Sequence, residues 1–265
     1  MMPTANEERK PRWRWLLLAS ILTFLIVLAP AALIEWAIGR SPNSQIRFAA
    51  DAGTVWTGRG RIALAADGTN ISIPIVWRFD PGALSRLRLG YVVEPSAAEL
   101  SGSARLGLRF GSVELRDTAL TVDARLLSLA HGVAALATPS GKVRLQQTAD
   151  ERLLVQPASG NSDAWRVDGS MILSAEQLAF GGVINAPAGN HELKLRGDGN
   201  AVNVTILRSS GPLKLDGGGT LLLAAPRRFT FSGFATAATD APATLKQLGP
   251  TLADGRQRIE INTPW

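Results

Sequence analysis

Leu16 to Ile34 is a run of about nineteen residues without a single charge, close to the ~20 that a helix needs to cross a bilayer. Some 230 residues follow, roughly enough for one large domain or two small ones. They are soluble in character, and their patterning is that of β-structure. A single apolar helix carrying a large β-domain is the layout of a tethered envelope module.

The flanks give the run a direction. Arg9, Lys10, Arg12 and Arg14 precede it, with Glu7 and Glu8 the only acids on that side. Basic residues stay on the cytoplasmic side, so the short N-terminus reads as cytoplasmic and the rest as periplasmic. Trp13 and Trp15 mark one interface and Trp36 the other, because indole rings favour the headgroup level. A cleaved signal peptide ending at Ala29-Pro30-Ala31 is the competing reading. Apolarity continues through Leu33 and Ile34, and a proline disfavours cleavage there, so the run is expected to stay as an anchor. The division that follows is a cytoplasmic tail (1–15), a transmembrane helix (16–35), a linker (36–44) broken by Gly39, Ser41, Pro42 and Asn43, and a periplasmic β-domain (45–265). The expected localisation is the inner membrane, single-pass.

Composition removes several classes of function. There is no cysteine, hence no disulfide framework, no thiolate metal site, no thiol nucleophile and no lipidated cysteine. Net charge is +6, but the arginines are scattered and aromatics are few. The basic-aromatic stripe of a nucleic-acid binder is absent, and the charge suits a solvated surface near anionic headgroups.

Alternation dominates after Gln45. Gly58 to Leu64 reads as a strand, Asp67-Gly68-Thr69-Asn70 as a turn, and Ile71, Ile73, Ile75 and Trp77 as one face of the next strand. Pro74 in that strand predicts a sheet edge or a bulge. Asp80 to Leu84 reads as a turn into a short helical piece. Further strands are expected at Leu87–Glu94, Ser101–Leu108, Ser112–Leu115, Ala119–Ala124, Gly141–Leu145, Trp165–Leu173, Leu178–Phe180, His191–Arg196, Val202–Leu207, Leu213–Leu215, Gly219–Ala224, Phe229–Ala235 and Arg256–Ile261. Arg152–Gln156 is expected to pair with Gly141–Leu145 as a hairpin. Gly181-Gly182, Gly197 to Asn200 and Gly217 to Gly219 read as turns. Leu126–Ala137 and Ala243–Leu248 are the helix candidates. Short strands at ~8–12-residue spacing indicate an antiparallel sheet. With so few helices to cover it, the sheet must curl on itself as a trough, incomplete barrel or sandwich. The fold class is mainly β.

A search for catalytic chemistry finds no set that holds together. His131 and His191 have no ligand partner at metal-binding spacing. No Gly-x-Ser-x-Gly elbow occurs. Gly141-Lys142 lacks the upstream glycine of a phosphate loop, and Gly197-Asp198-Gly199-Asn200 lacks the later acids of a calcium loop. No cofactor and no metal are expected, and the chain does not read as an enzyme.

Two tryptophan motifs remain. Gly53-Thr54-Val55-Trp56-Thr57-Gly58 follows the linker, and Trp77-Arg78-Phe79-Asp80-Pro81-Gly82-Ala83-Leu84 comes about twenty residues later. Their order resembles the type II secretion system protein N family (general secretion pathway protein N), in which one helix precedes a Gly-Thr-x-Trp-x-Gly motif and a Trp-x-x-x-Pro-x-x-Leu motif. Leu100 to Ala104, Leu245 to Gly249 and Asp254-Gly255 fit more loosely. The motif residues are then Gly53, Thr54, Trp56, Gly58, Trp77, Pro81 and Leu84. The resemblance implies a non-enzymatic, inner-membrane component that acts through periplasmic contacts with other secretion subunits in the export of folded proteins. Strand addition at an exposed edge is one mode of contact, with the Pro74 strand a candidate. The family is distantly similar to AsmA-like envelope proteins, which implies the alternative of lipid binding or transfer in an apolar β-groove, with lipid as the partner. From the residues alone, Trp56 and Trp77 read as core plugs paired across neighbouring strands.

Overall fold

The computed structural model describes residues 12–39, 46–66, 69–109, 111–129, 137–148, 151–157, 165–182, 186–239, 241–247 and 249–264. The expected tail up to Pro11, the linker residues Ser41, Pro42 and Asn43, the turn at Asp67-Gly68, and residues 130–136 of the 126–137 helix candidate, His131 among them, lie outside them; Ala137 begins a strand instead.

The apolar run is not one helix. It forms α1 (Arg12–Val27) and α2 (Ala32–Gly39), separated at Leu28–Ala31. Pro30 has no N–H to give and its ring clashes with the preceding turn, while Ala29 is pushed from helical to extended backbone. No helix among the described residues is long and apolar enough to cross a membrane. The expected continuous helix over 16–35 is corrected accordingly.

Among the described residues fourteen strands form a single sheet: β1 (Ile46–Gly53), β2 (Thr57–Ala66), β3 (Thr69–Asp80), β4 (Leu89–Pro95), β5 (Leu100–Arg109), β6 (Ser112–Asp123), β7 (Ala137–Gln146), β8 (Leu153–Pro157), β9 (Trp165–Gly182), β10 (Ala186–Gly199), β11 (Ala201–Ser210), β12 (Leu213–Leu222), β13 (Arg228–Ala237) and β14 (Gln257–Pro264). The order follows the chain except that β7 pairs directly with β9 and β8 pairs with β6 and β9. All pairings are antiparallel.

Several sequence expectations change: of the expected turns, Gly181-Gly182 runs inside β9, and Gly197 to Gly199 inside β10 with only Asn200 left at the turn. The segment 152–156 does not form a hairpin with 141–145: β6 spends Ala119–Asp123 on β7 and Val113–Leu115 on β8, and the long β9 divides between the same two partners. Gly217 to Gly219 is not a turn but runs inside β12, facing β13 and, through Gly218 and Gly219, β11. Pro74 is not on an edge strand, since β3 lies between β2 and β4. Its carbonyl accepts from Ser96 N–H just past the end of β4, so its missing N–H faces a place where no ladder bond is required.

Directly opposed residues share a face of a sheet, and the register makes one face apolar from end to end. Rows run Phe48, Ile62, Ile73; Phe79, Tyr91, Leu106, Leu115, Leu153; Leu120, Leu145, Leu173, Leu193, Ile206; and Val204, Gly219, Phe231, Ile261. The opposite face carries cross-strand ion pairs such as Arg61–Asp51 at 2.8 Å, Arg78–Glu94 at 2.9 Å and Arg144–Glu176 at 3.4 Å, exposed and individually weak.

Three short pieces cover parts of the apolar face. α2 lies over Phe48, Ile75 and Trp77. The helix α3 (Ala124–Leu129) starts with Ala124 against Val143 and Ala175. A 3₁₀ turn, Ala243–Gln247, seats Leu245 on Ala188, Leu213 and Ala235. Between these patches the apolar rows stay half-exposed.

Candidate functional site: the helix–sheet junction

The sharp turn from β1 to β2 is where the first motif sits. Gly53 ends β1 with φ of 108°, a left-handed backbone open to glycine. The Thr54 hydroxyl accepts from the N–H groups of Trp56 and Thr57, both at 3.3 Å, a side-chain-capped turn that threonine supplies and valine would not. Gly58 lies directly opposite Trp77. A Cβ there would come within 2.5 Å of the Trp77 ring and 2.6 Å of the Ala52 carbonyl.

The turn grips the break between the helices. Ala31 N–H donates to Gly53 O at 3.2 Å and Val55 N–H to Ala29 O at 2.9 Å, and Pro30 bridges Thr54 in an antiparallel sense. The segment 29–31 thus acts as a one-bridge strand beside β1. Trp56 Nε1–H donates to Ile26 O at 2.7 Å. That carbonyl belongs to the last turn of α1; its i+4 donor is missing because residue 30 is proline, and only the Ala29 N–H reaches it besides, at 3.3 Å. Trp77 Nε1–H donates to Thr54 O at 3.3 Å and Val55 O at 3.2 Å. Farther along, Glu35 Oε2 on α2 accepts from Ala50 N–H of β1 at 3.3 Å, which covers part of that edge.

The two tryptophans differ in environment. Trp77 is 3% exposed and meets Phe48 edge-on at 5.5 Å, as expected of a core plug. Trp56 is only half-buried and is not its cross-strand partner. It stacks edge-on against Phe79 at 4.9 Å, which meets Tyr91 at 5.8 Å, and its carbonyl accepts from Phe79 N–H at 2.6 Å.

Residues 45–260 match the family described as Type II secretion system (T2SS), protein N. The chain belongs to this family. No curated protein and no solved structure matches it.

The match begins just before β1, so it contains both tryptophan motifs. The structure brings Gly53, Thr54, Trp56, Gly58 and Trp77 together at the junction. Pro81 and Leu84 stand beside it, in a 3₁₀ turn Pro81–Arg86 that follows β3. Pro81 takes the first helical position, where its missing N–H costs nothing, and Asp80 caps the turn by accepting from Gly82 N–H at 3.0 Å. Leu84 is 49% exposed, so it is no part of the core.

A charged cluster escaped the sequence reading. Glu114 is 4% exposed and paired with both Arg88 and Arg116, the latter at 2.5 Å. It lines a cleft of about 490 Å³ together with Arg86, Arg105 and Arg152. Partial burial holds the Arg88 guanidinium below its ordinary pKa, and Arg116, Arg152, Arg109 and Arg86 add like-charge repulsion. With both carboxylate oxygens engaged, Glu114 is a structural counter-ion. Its signal in the sequence was faint, a lone acid two residues before an arginine in an alternating strand. No group of three or more potential metal ligands occurs among the described residues.

Proposed function

We propose that this member of the T2SS protein N family is a non-enzymatic component moored to the inner membrane by α1, with its sheet in the periplasm, and that it works through contacts with other secretion subunits. The observation that carries this reading is an apolar helix exposed along Trp15–Leu28, whose last turn is tied to the sheet by the Trp56 indole. Such a surface needs an apolar surrounding. Trp13 and Trp15 at one end of α1 and Trp56 at the other suit the two interfaces of a membrane. Contact with a partner by strand addition is best supported at β14. Arg258 N–H turns outward to Pro250 O, so Glu260 and Asn262 direct their N–H and C=O groups the same way, and no strand pairs there among the described residues. Deleting the gene in its host should leave normally exported folded proteins in the periplasm, and restoring the full chain should rescue export. Unimpaired export in the deletion strain would overturn the reading.

One observation favours lipid handling as a second reading: the apolar rows between the covered patches are half-exposed and free of charge, as an acyl-chain groove would be. Phospholipid co-purifying with the detergent-extracted chain in place of secretion subunits, together with altered outer-membrane lipid in the deletion strain, would promote it over the first.

A further inference from the structure

Consecutive antiparallel strands place alternate turns at one end of a sheet. The β1–β2 turn that grips α1 therefore shares its end with the β3–β4 connection (81–88) and the β5–β6 hairpin. At ~4.8 Å between strands, these lie roughly 10 and 20 Å from the point where α1 leaves.

This end is rich in exposed leucine. Leu84 is 49% exposed, Leu87 89%, Leu89 46% and Leu108 38%, and Leu89 faces Leu108 directly across β4 and β5. Leu87 is the most telling. It closes the 3₁₀ turn with φ of 55° and ψ of 44°, a left-handed cap position where glycine or asparagine is the ordinary choice. A leucine there gains nothing from packing, since almost all of it is in solvent. Arg86 and Arg109 flank these leucines and make no ion pair among the described residues.

We propose that this rim, with Leu84, Leu87, Leu89 and Leu108 as the apolar contacts and Arg86 and Arg109 as the cationic ones, rests on the bilayer surface and inserts its leucines at the headgroup level of anionic phospholipid. The proposal rests on the mooring of α1 put forward above. Leucine beside arginine is the pairing that an anionic lipid interface rewards. The length of α1 supplies a reason for close approach. Its 16 residues rise ~24 Å against a hydrocarbon core of ~30 Å, so an apolar helix of this length seated in the bilayer holds the structure at its end close to the interface. The motif residue Leu84, left without a packing role, gains one here.

The chain has no cysteine, so single-cysteine variants Leu22→Cys on α1, Leu87→Cys, Leu108→Cys and Leu207→Cys can each carry an environment-sensitive fluorophore. Leu207 is exposed on the far half of β11 and serves as control. The full chain is reconstituted in vesicles of phosphatidylethanolamine and phosphatidylglycerol with nitroxide-labelled lipid as quencher. Quenching at 22, 87 and 108 several-fold above that at 207, reduced by Arg86→Glu with Arg109→Glu, supports the proposal. Quenching at 22 with 87 and 108 no higher than 207 overturns it and leaves the mooring intact. An unquenched label at 22 overturns the mooring and this proposal with it. Leu87→Gly adds a check that a structural role would fail. It relieves the left-handed strain, so the melting temperature should hold or rise while quenching at 108 falls; a drop in melting temperature with unchanged quenching makes Leu87 a packing residue and refutes its assignment.

Discussion

Replacing Trp77 by alanine tests whether the junction is held as described. The side chain is 3% exposed, and truncating a buried tryptophan costs about 3–5 kcal/mol in lost transfer energy and cavity. The edge-on contact with Phe48 and the hydrogen bonds to Thr54 and Val55 move the expectation to the upper part of that range, since a hydrogen bond contributes about 1 kcal/mol and an aromatic pair about as much. A loss of about 4–5 kcal/mol is a large share of the ~5–15 kcal/mol that stabilises a typical domain. Trp77→Phe keeps most of the ring contact but deletes the donor, and should lose about 1–2 kcal/mol. The assay is urea unfolding of the detergent-solubilised full chain followed by circular dichroism of the sheet. With it goes limited proteolysis at 28–31, which should quicken in both variants as the turn loosens. A loss under about 1 kcal/mol for Trp77→Ala, or unchanged proteolysis in either variant, refutes the claim that this indole fastens the turn.

Three further outcomes follow from the packing and the charges. Glu114→Gln leaves Arg88 and Arg116 without their shared counter-ion and should cost about 2–3 kcal/mol, measured as a shift in urea midpoint; a neutral effect would show the cluster to be solvated. Leu245→Ala, at a residue 1% exposed, should cost about 3 kcal/mol and free the Ala243–Gln247 turn to exchange amide hydrogens faster than the sheet beneath it. Burial holds the His191 imidazole below its ordinary 6.5, so on acidification the unfolded chain takes up a proton before the folded chain does. Stability is then full above the ordinary histidine range and falls as pH drops below about 6.5. His191→Asn should flatten that fall in urea midpoints measured between about pH 7.5 and pH 5.5.

The antiparallel sheet was legible because alternation reports one-sided burial directly: Ile73, Ile75 and Trp77 share a face in the sequence pattern and in β3. The pairing of β8 was not, because sequence proximity argues for a hairpin, whereas a twelve-residue β6 has room for two partners. Glycine misled at 217–219 for a related reason. The same residue serves a turn or a crowded strand, and a Cβ at Gly218 would stand 2.8 Å from the Val204 carbonyl. The helix break was written in Pro30, but a hydropathy run averages over it, and only the bridge to Thr54 gives the freed backbone a partner. Of the junction, the motif residues could be found and their contacts could not, since Ile26 and Trp56 stand thirty residues apart and no periodicity links them.

The junction changes what kind of attachment the apolar run provides. A flexible tether would leave the sheet free to tumble beside the membrane, and the turn at 53–57 would need no more than glycine. Here the turn is bound on both sides. Trp56 reaches out to the carbonyl of Ile26 on the helix, and Trp77 reaches back to the carbonyls of Thr54 and Val55. The segment 29–31 adds two backbone bonds. Hydrogen bonds are directional where apolar contact is not, so this arrangement sets an angle as well as a distance between α1 and the first strands. Under the mooring proposed above, a sheet held at a set angle presents the same rim and the same β14 edge in the same directions in every copy, which a partner assembling on that edge would require.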